Sequence, residues 1–217
     1  MQNNLLEETQ VIISKGWSAR IRPPTQPWNR RLIFLLHGWT GDENIMWIFA
    51  RKLPVNCYII APRGPLLCPD GGYAWAIPEK DKRPDIDTYL EHCHGLLERL
   101  VGWIPEIVPD IRLDAIGFSQ GAAMAYSMCL AAKLGKVAPL AGYIPPGLEE
   151  KLVGLDLSNL KCFIAHNSDD NLVPIEESRR AVDLLSSRGA AVQYCENKGG
   201  HKVSTACFNA LDAFLSD

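Results

Sequence analysis

The chain has 217 residues, a length that suits one α/β domain and buries roughly 70–75% of the unfolded surface. With 47% hydrophobic and 22% charged residues, it can build a core without covalent staples. A net charge of −3 and a pI of about 6.0 exclude a global basic field that would draw nucleic acid or anionic lipid.

In chain order, two short strands are expected at Val11–Ser14 and Ser18–Arg22, closed by the proline-rich PPTQPWN at 23–29. Leu32–Leu36 is a continuous apolar run ending at His37-Gly38, the pattern of a strand buried on both faces. Asp42 is placed to cap a helix over Glu43–Lys52. Further apolar runs follow at Cys57–Ala61, Leu113–Gly117, Leu140–Ile144, Cys162–His166 and Ala191–Cys195. Helical spacing marks Ile86–Pro105, Gln120–Leu134, Ile175–Arg188 and Val203–Leu215. This alternation predicts a single α/β domain with a mostly parallel central sheet and helices on both faces. Functional residues are then expected just after the strands.

Seven cysteines stand singly, at 57, 68, 93, 129, 162, 195 and 207, with no C-x-x-C pair. That pattern predicts reduced, mostly buried thiols and neither a disulfide framework nor a zinc site. The segment MQNNLLEETQVII lacks the basic flank and apolar stretch of a signal peptide, and no run reaches the ~20 residues of a membrane span. A cytoplasmic protein is expected.

Gly117-Phe118-Ser119-Gln120-Gly121 follows a strand and opens an Ala/Met-rich helix. G-x-S-x-G by itself occurs by chance roughly 0.07 times in such a chain, but this context is the one a nucleophile elbow requires. A serine hydroxyl needs an adjacent base. Of the histidines, His92 and His94 lie in a helix and are expected to face solvent. His37 and His166 end strands, where they suit loop shaping. His201 follows a strand and Lys198-Gly199-Gly200, which places it on a loop at the carboxyl edge of the sheet. The acid that orients it should lie between residues 119 and 201, just after a strand. Asp169 and Asp170 both satisfy this spacing, and the other of the two should face water or cap the next helix. For an oxyanion, the backbone N–H groups of Gln120 and Trp39 are the candidate donors.

The segments HGWTGDEN, PRGP, GYAW, GFSQGA, HNSDDNLVP and GGH, from about Leu32 onward, resemble the carboxylesterase/phospholipase branch of the α/β hydrolases. That branch includes acyl-protein thioesterases and small bacterial carboxylesterases. The resemblance implies an α/β-hydrolase fold with no large cap domain. Its HGxxDxxVP motif favours Asp170, four residues before Pro174, over Asp169. Two positions depart from the family pattern: Asn167 replaces the glycine after His166, and Thr40 replaces the second glycine of HGxG.

Residues 62–85 show no clear element, and a connection of that length is more often functional than inert. Leu66, Leu67, Tyr73 and Trp75 from this segment, with Trp39, Phe118 and Val173, are expected to line an apolar acyl pocket. The expected protein hydrolyses short to medium acyl esters or thioesters through Ser119, His201 and Asp170. No cofactor or metal is expected. The partner is a small or lipid-like acyl substrate, with a homodimer left open. A peptidase, amidase or lactone hydrolase on the same residues, or a non-catalytic ligand-binding protein, are the competing readings.

Overall fold

The computed structural model describes residues 8–80, 82–104 and 110–216. Its centre is an eight-stranded sheet. The strands are β1 (Gln10–Ser14), β2 (Trp17–Arg22), β3 (Arg31–Leu36), β4 (Tyr58–Pro62), β7 (Arg112–Phe118), β8 (Leu134–Leu140), β9 (Lys161–Asn167) and β10 (Ala191–Asn197). They lie in the order β1-β2-β4-β3-β7-β8-β9-β10. From β4 to β10 every neighbouring pair is parallel, while β1 and β2 are joined antiparallel at one edge. Two further strands, β5 (Leu66–Leu67) and β6 (Tyr73–Ala74), form a small hairpin of their own. The segment at 62–85 therefore carries structure where the sequence suggested a bare loop.

Helices α1 (Ile86–Trp103), α2 (Gln120–Ala131), α3 (Leu148–Lys151), α4 (Ile175–Ser187) and α5 (Thr205–Ser216) connect the strands. β3 explains why two cores form. Its residues alternate: Leu32, Phe34 and Leu36 enter the core built with α1, α2 and α4, while Ile33 and Leu35 enter the one built with α5. The second core also holds Met46, Trp47 and Phe49 of a 3₁₀ helix, Ile45–Lys52. Asp42 does help to start that helix, accepting from the N–H groups of Asn44 and Ile45 at 2.8 and 3.2 Å. In α1 the buried positions Ile86, Tyr89, Cys93, Leu96, Leu100 and Trp103 recur every three or four residues, and Asp85 caps the helix by accepting from Thr88 N–H. α2 is buried without a break from Gln120 to Met128.

The chain steps from β3 to β4 on one side and later inserts β7 on the other side of β3. That reversal opens a crevice at the carboxyl ends of β3 and β7, where a parallel sheet accepts ligands. This is the α/β-hydrolase fold, with no large cap among the described residues.

Two expectations need correction. The strand expected at Leu140–Ile144 ends at Leu140 and begins at Leu134. Gly135, Lys136 and Pro139 interrupt its apolar pattern, and Lys136 is nevertheless buried. Cys195 and Cys207, expected as free thiols, form a disulfide because α5 packs back onto β10. Cys57, Cys68, Cys93, Cys129 and Cys162 are free.

Lys136 belongs to a buried polar knot at the amino edge of the sheet. Arg31 Nε lies 2.5 Å from Asp114 Oδ2, with both side chains almost wholly buried. Asp114 Oδ1 accepts from Lys136 N–H at 2.7 Å, and Arg31 and Lys136 donate to the carbonyls of Leu215 and Phe214 at the end of α5. The knot ties β3, β7, β8 and α5 together, and cations at a helix C-terminus suit its dipole. Removing one partner leaves buried charge uncompensated, so Asp114→Ala is expected to lower unfolding stability by about 3–5 kcal/mol in urea titrations. A loss below about 1 kcal/mol would show that the knot contributes little.

Candidate active site

β7 ends at Phe118, and the next residue, Ser119, has φ 55° and ψ −115°, a conformation sparsely populated by non-glycine residues. Two close approaches create room for it. A Cβ on Gly117 would lie 1.9 Å from Gly121 O, and one on Gly121 would lie 2.0 Å from Leu36 O. Only glycine fits at both, and α2 starts directly after the turn.

His201 Nε2 stands 2.9 Å from Ser119 Oγ, and its Nδ1 stands 2.7 Å from Asp170 Oδ2. A carboxylate only accepts, so Nδ1 carries the proton and Nε2 is free to accept from the serine hydroxyl. Burial by itself would raise the Asp170 carboxyl. The N–H of Val173, the His201 ring and the N–H of Leu172 outweigh it and hold the group below the ordinary carboxylate range. His166 Nε2 lies 2.9 Å from Val173 O and 3.3 Å from Asp170 Oδ2, bracing the same turn.

Asp169 stays exposed and does not cap α4. Its Oδ1 accepts from the N–H groups of Gly199 and Gly200 at 2.7 and 2.9 Å, on the loop that carries His201. The two aspartates share the same spacing after β9, and the geometry gives them different partners. Asp170 reaches the imidazole; Asp169 reaches the backbone behind it.

The loop after β3 also reaches the serine. A Cβ on Gly38 would stand 3.2 Å from Phe118 O and 3.3 Å from Ser119 Cβ, so this backbone runs beside the elbow and carries Trp39 with it. Thr40, which replaces a family glycine, has φ 60°, the left-handed conformation that glycine adopts freely. The N–H of Gln120 opens α2 immediately after Ser119.

Several residues hold this rim in place. Arg63 makes a two-pronged contact with buried Glu43, at 2.6 and 2.5 Å, joining the loops after β3 and β4. The Gln120 side chain accepts from Trp75 N–H at 2.8 Å and donates to Ala76 O at 2.7 Å. The sequence marks Gln120 only for its backbone N–H. Its side-chain role had one signal, a polar residue opening an otherwise apolar helix.

The expected pocket residues divide. Trp39, Phe118, Leu66 and Tyr73 are half-buried and Leu67 is exposed. The Phe118 ring lies 5.1 Å from the His201 ring, and Tyr73 N–H donates to Gly41 O beside the Trp39 loop. Trp75 is a correction: it is fully buried, its indole N–H donates to His37 O at 2.7 Å, and it packs on the His37 ring. Val173 is a second correction, since it is buried in the main core beneath the Asp170 turn. His92 is a third, half-buried with its ring 6.0 Å from that of Trp17.

A strained serine at a strand–helix turn, joined through an imidazole to a carboxylate, defines the α/β-hydrolase class on this sheet. Residues 18–217 match the profile of the phospholipase/carboxylesterase family, and the chain belongs to that family, whose members hydrolyse carboxylic esters. It is 28% identical to mouse esterase OVCA2 over 168 residues, which cover 67% of this chain and 70% of that protein. A carboxylesterase from Mesorhizobium loti superposes with a TM-score of 0.78 at 20% identity, covering 97% of this chain and 99% of that one. Acyl-protein thioesterase 2 from Zea mays gives 0.71 at 21% identity, covering 91% and 97%. At such identities the structural likeness speaks for the fold.

His37 makes one property of this rim testable. It is fully buried, with Nδ1 2.7 Å from Gly38 O and Nε2 accepting from Gly64 N–H at 2.8 Å, so the neutral ring uses both nitrogens. Burial lowers its pKa below the ordinary 6.5. As pH falls through 6.5 the unfolded chain takes up a proton that the folded chain refuses, so this contribution to stability is present above 6.5 and lost below it. The lowered carboxyls of Asp42, Glu43 and Asp170 act in a more acidic window. The urea midpoint is expected to fall between about pH 7.5 and 5.5, and the slope to flatten in His37→Asn. An unchanged slope in that variant would assign the effect to His92, which burial shifts in the same direction.

Proposed function

We propose that the protein cleaves short to medium acyl esters or thioesters through an acyl-serine intermediate. Ser119 is the nucleophile, His201 the base and Asp170 the group that orients the imidazole. The observation that carries this reading is the continuous relay from Ser119 Oγ to His201 Nε2 at 2.9 Å and from His201 Nδ1 to Asp170 Oδ2 at 2.7 Å. His201 takes the hydroxyl proton as Ser119 Oγ bonds to the acyl carbon. It then gives that proton to the departing alcohol or thiol. A water activated by the same ring hydrolyses the acyl-serine and restores the hydroxyl. The N–H groups of Gln120 and Trp39 hold the negative oxygen of the tetrahedral intermediate, the first aided by the N-terminal dipole of α2.

The acyl chain runs along Trp39 and Phe118, with Leu66, Leu67 and Tyr73 beside them. All five keep accessible surface and the Phe118 ring lies 5.1 Å from that of His201, which supports an open groove and a small or lipid-like substrate. Among the described residues no helix is long and apolar enough to cross a membrane. Five unpaired cysteines favour a reducing compartment, the cytoplasm, in which the Cys195–Cys207 bond is the exception.

Kinetics on p-nitrophenyl esters of graded length, run beside acyl thioesters, test the assignment. Asp170→Asn is expected to lower kcat by about 10⁴, the loss that the comparable change causes in a serine protease. Asp169→Asn keeps an oxygen for Gly199 and Gly200 and should stay within about tenfold. Equal losses in the two variants would reverse the choice of acid.

The same panel separates the two tryptophans. Each methylene held in a pocket is worth about 1–3 kcal/mol, so Trp39→Ala should flatten the dependence of kcat/KM on chain length while sparing acetyl esters. Trp75→Ala should instead weaken all lengths alike and lower stability by about 3–5 kcal/mol, as a core truncation does. A chain-length effect confined to Trp75→Ala would return that residue to the pocket.

A further inference from the structure

Within the loop at 198–204 one backbone hydrogen bond closes a tight turn around His201, Lys202 N–H donating to Gly200 O at 2.9 Å. Gly199 and Gly200 precede the histidine, at φ +148° and +70°, and neither has a side chain to pack. Further support comes from the end of the neighbouring strand β9. Asn167, 1% exposed, extends its side-chain amide into the loop. Its Nδ2 stands 2.9 Å from Gly200 O and 2.8 Å from Lys202 O. These carbonyls belong to the residues immediately before and after His201. Both partners only accept, so the group facing them is the NH2, and its two hydrogens serve one carbonyl each. Gly199 makes room for the arrangement, since a Cβ there would stand 3.1 Å from Asn167 Nδ2.

We propose that Asn167 is a positioning residue: its amide pins the main chain on both sides of His201 and so keeps Nε2 on Ser119 Oγ. The inference rests on the reading of Ser119 and His201 given above. Asp169 completes the clamp from the exposed side by holding the N–H groups of Gly199 and Gly200. The HGxxDxxVP pattern has a glycine at position 167, and a glycine has no amide to offer. The loop therefore relies here on a contact that the motif does not contain. A buried donor held between the two carbonyls that flank His201 has little freedom to shift, and neither has the ring between them.

Asn167→Gly removes the amide, and Asn167→Asp turns a carboxylate oxygen of the same shape toward the two carbonyls. Four quantities are measured: kcat and KM on p-nitrophenyl acetate, the thermal midpoint, and the downfield imidazole N–H proton resonance, assigned to His201 with His201→Ala. Both variants are expected to lose about 10–100-fold in kcat with KM within about threefold, since a misplaced reacting group affects the chemical step more than binding. The His201 N–H resonance should broaden or vanish in both, at temperatures well below their midpoints. Asn167→Ser, which keeps one donor on a shorter stem, should fall between them and the wild type. If Asn167→Asp does not fold, Asn167→Gly and Asn167→Ser decide the matter.

A kcat within twofold of wild type in the folded variants, or an unchanged His201 resonance, overturns the proposal. The proton signal reads the resting protein and needs no turnover. A wild type that hydrolyses no ester, yet loses the signal on substitution, would refute the functional reading and leave the role of Asn167 standing.

Discussion

Gly121 lies where a Cβ would be 2.0 Å from Leu36 O, and Gly117 where one would be 1.9 Å from Gly121 O. The first turn of α2 is therefore seated against the backbone of β3 and β7, closer than any side chain allows. That contact bends the chain sharply enough to hold Ser119 in its strained conformation and to present its hydroxyl at the carboxyl edge of the sheet. Strain of this kind costs about 1–3 kcal/mol. The unbroken burial of Gln120–Met128 offsets it, because α2 has almost no exposed face along which to relax.

With the serine fixed, the remaining groups must be brought to it from other strands, and each arrives on a loop tied down by polar contacts. Glu43 and Arg63 join the loops after β3 and β4, and His37 reinforces that joint through Gly64 N–H. The Gln120 side chain holds the 75–76 backbone over the start of α2. Asp170 is set by the N–H groups of Leu172 and Val173, and the His201 loop by Asn167 and Asp169. Loops with glycines at their tips would otherwise sample many conformations. Here hydrogen bonds replace packing as the source of order, and the disulfide between β10 and α5 closes the base of the His201 loop. The amino edge is organised differently, around the buried pair Arg31–Asp114, far along the strands from the crevice.

Much of this was legible in the sequence because β3 and β9 carry unbroken apolar stretches and β7 one interrupted only by Asp114, each stopping at glycine, serine or polar residues. Ser119 and His201 stood out by their places after strands. Asp170 needed the family pattern, since two adjacent aspartates satisfy the same spacing. β8 was misplaced because a buried lysine and a proline disguise it, and only the tertiary partners of Lys136, Phe214 O above all, explain that burial. Trp75 looked like a pocket residue because it sits in a long connection. Burial of its ring and the pairing of its N–H with His37 O depend on a fold that spacing does not reveal. Cys195 and Cys207 are brought together by the return of α5 onto β10, which no short motif announces. Asn167 was visible as a departure from the family glycine, and its meaning came from the two carbonyls it meets.

The central claim is that the relay makes one hydroxyl in this chain nucleophilic. Intact-mass analysis after exposure to a fluorophosphonate reads that claim directly, because the reagent bonds only to an activated serine. One adduct per chain is expected, located on the peptide containing Ser119, and none in Ser119→Ala. An adduct that persists in Ser119→Ala, or no adduct in the folded wild type, would contradict the account.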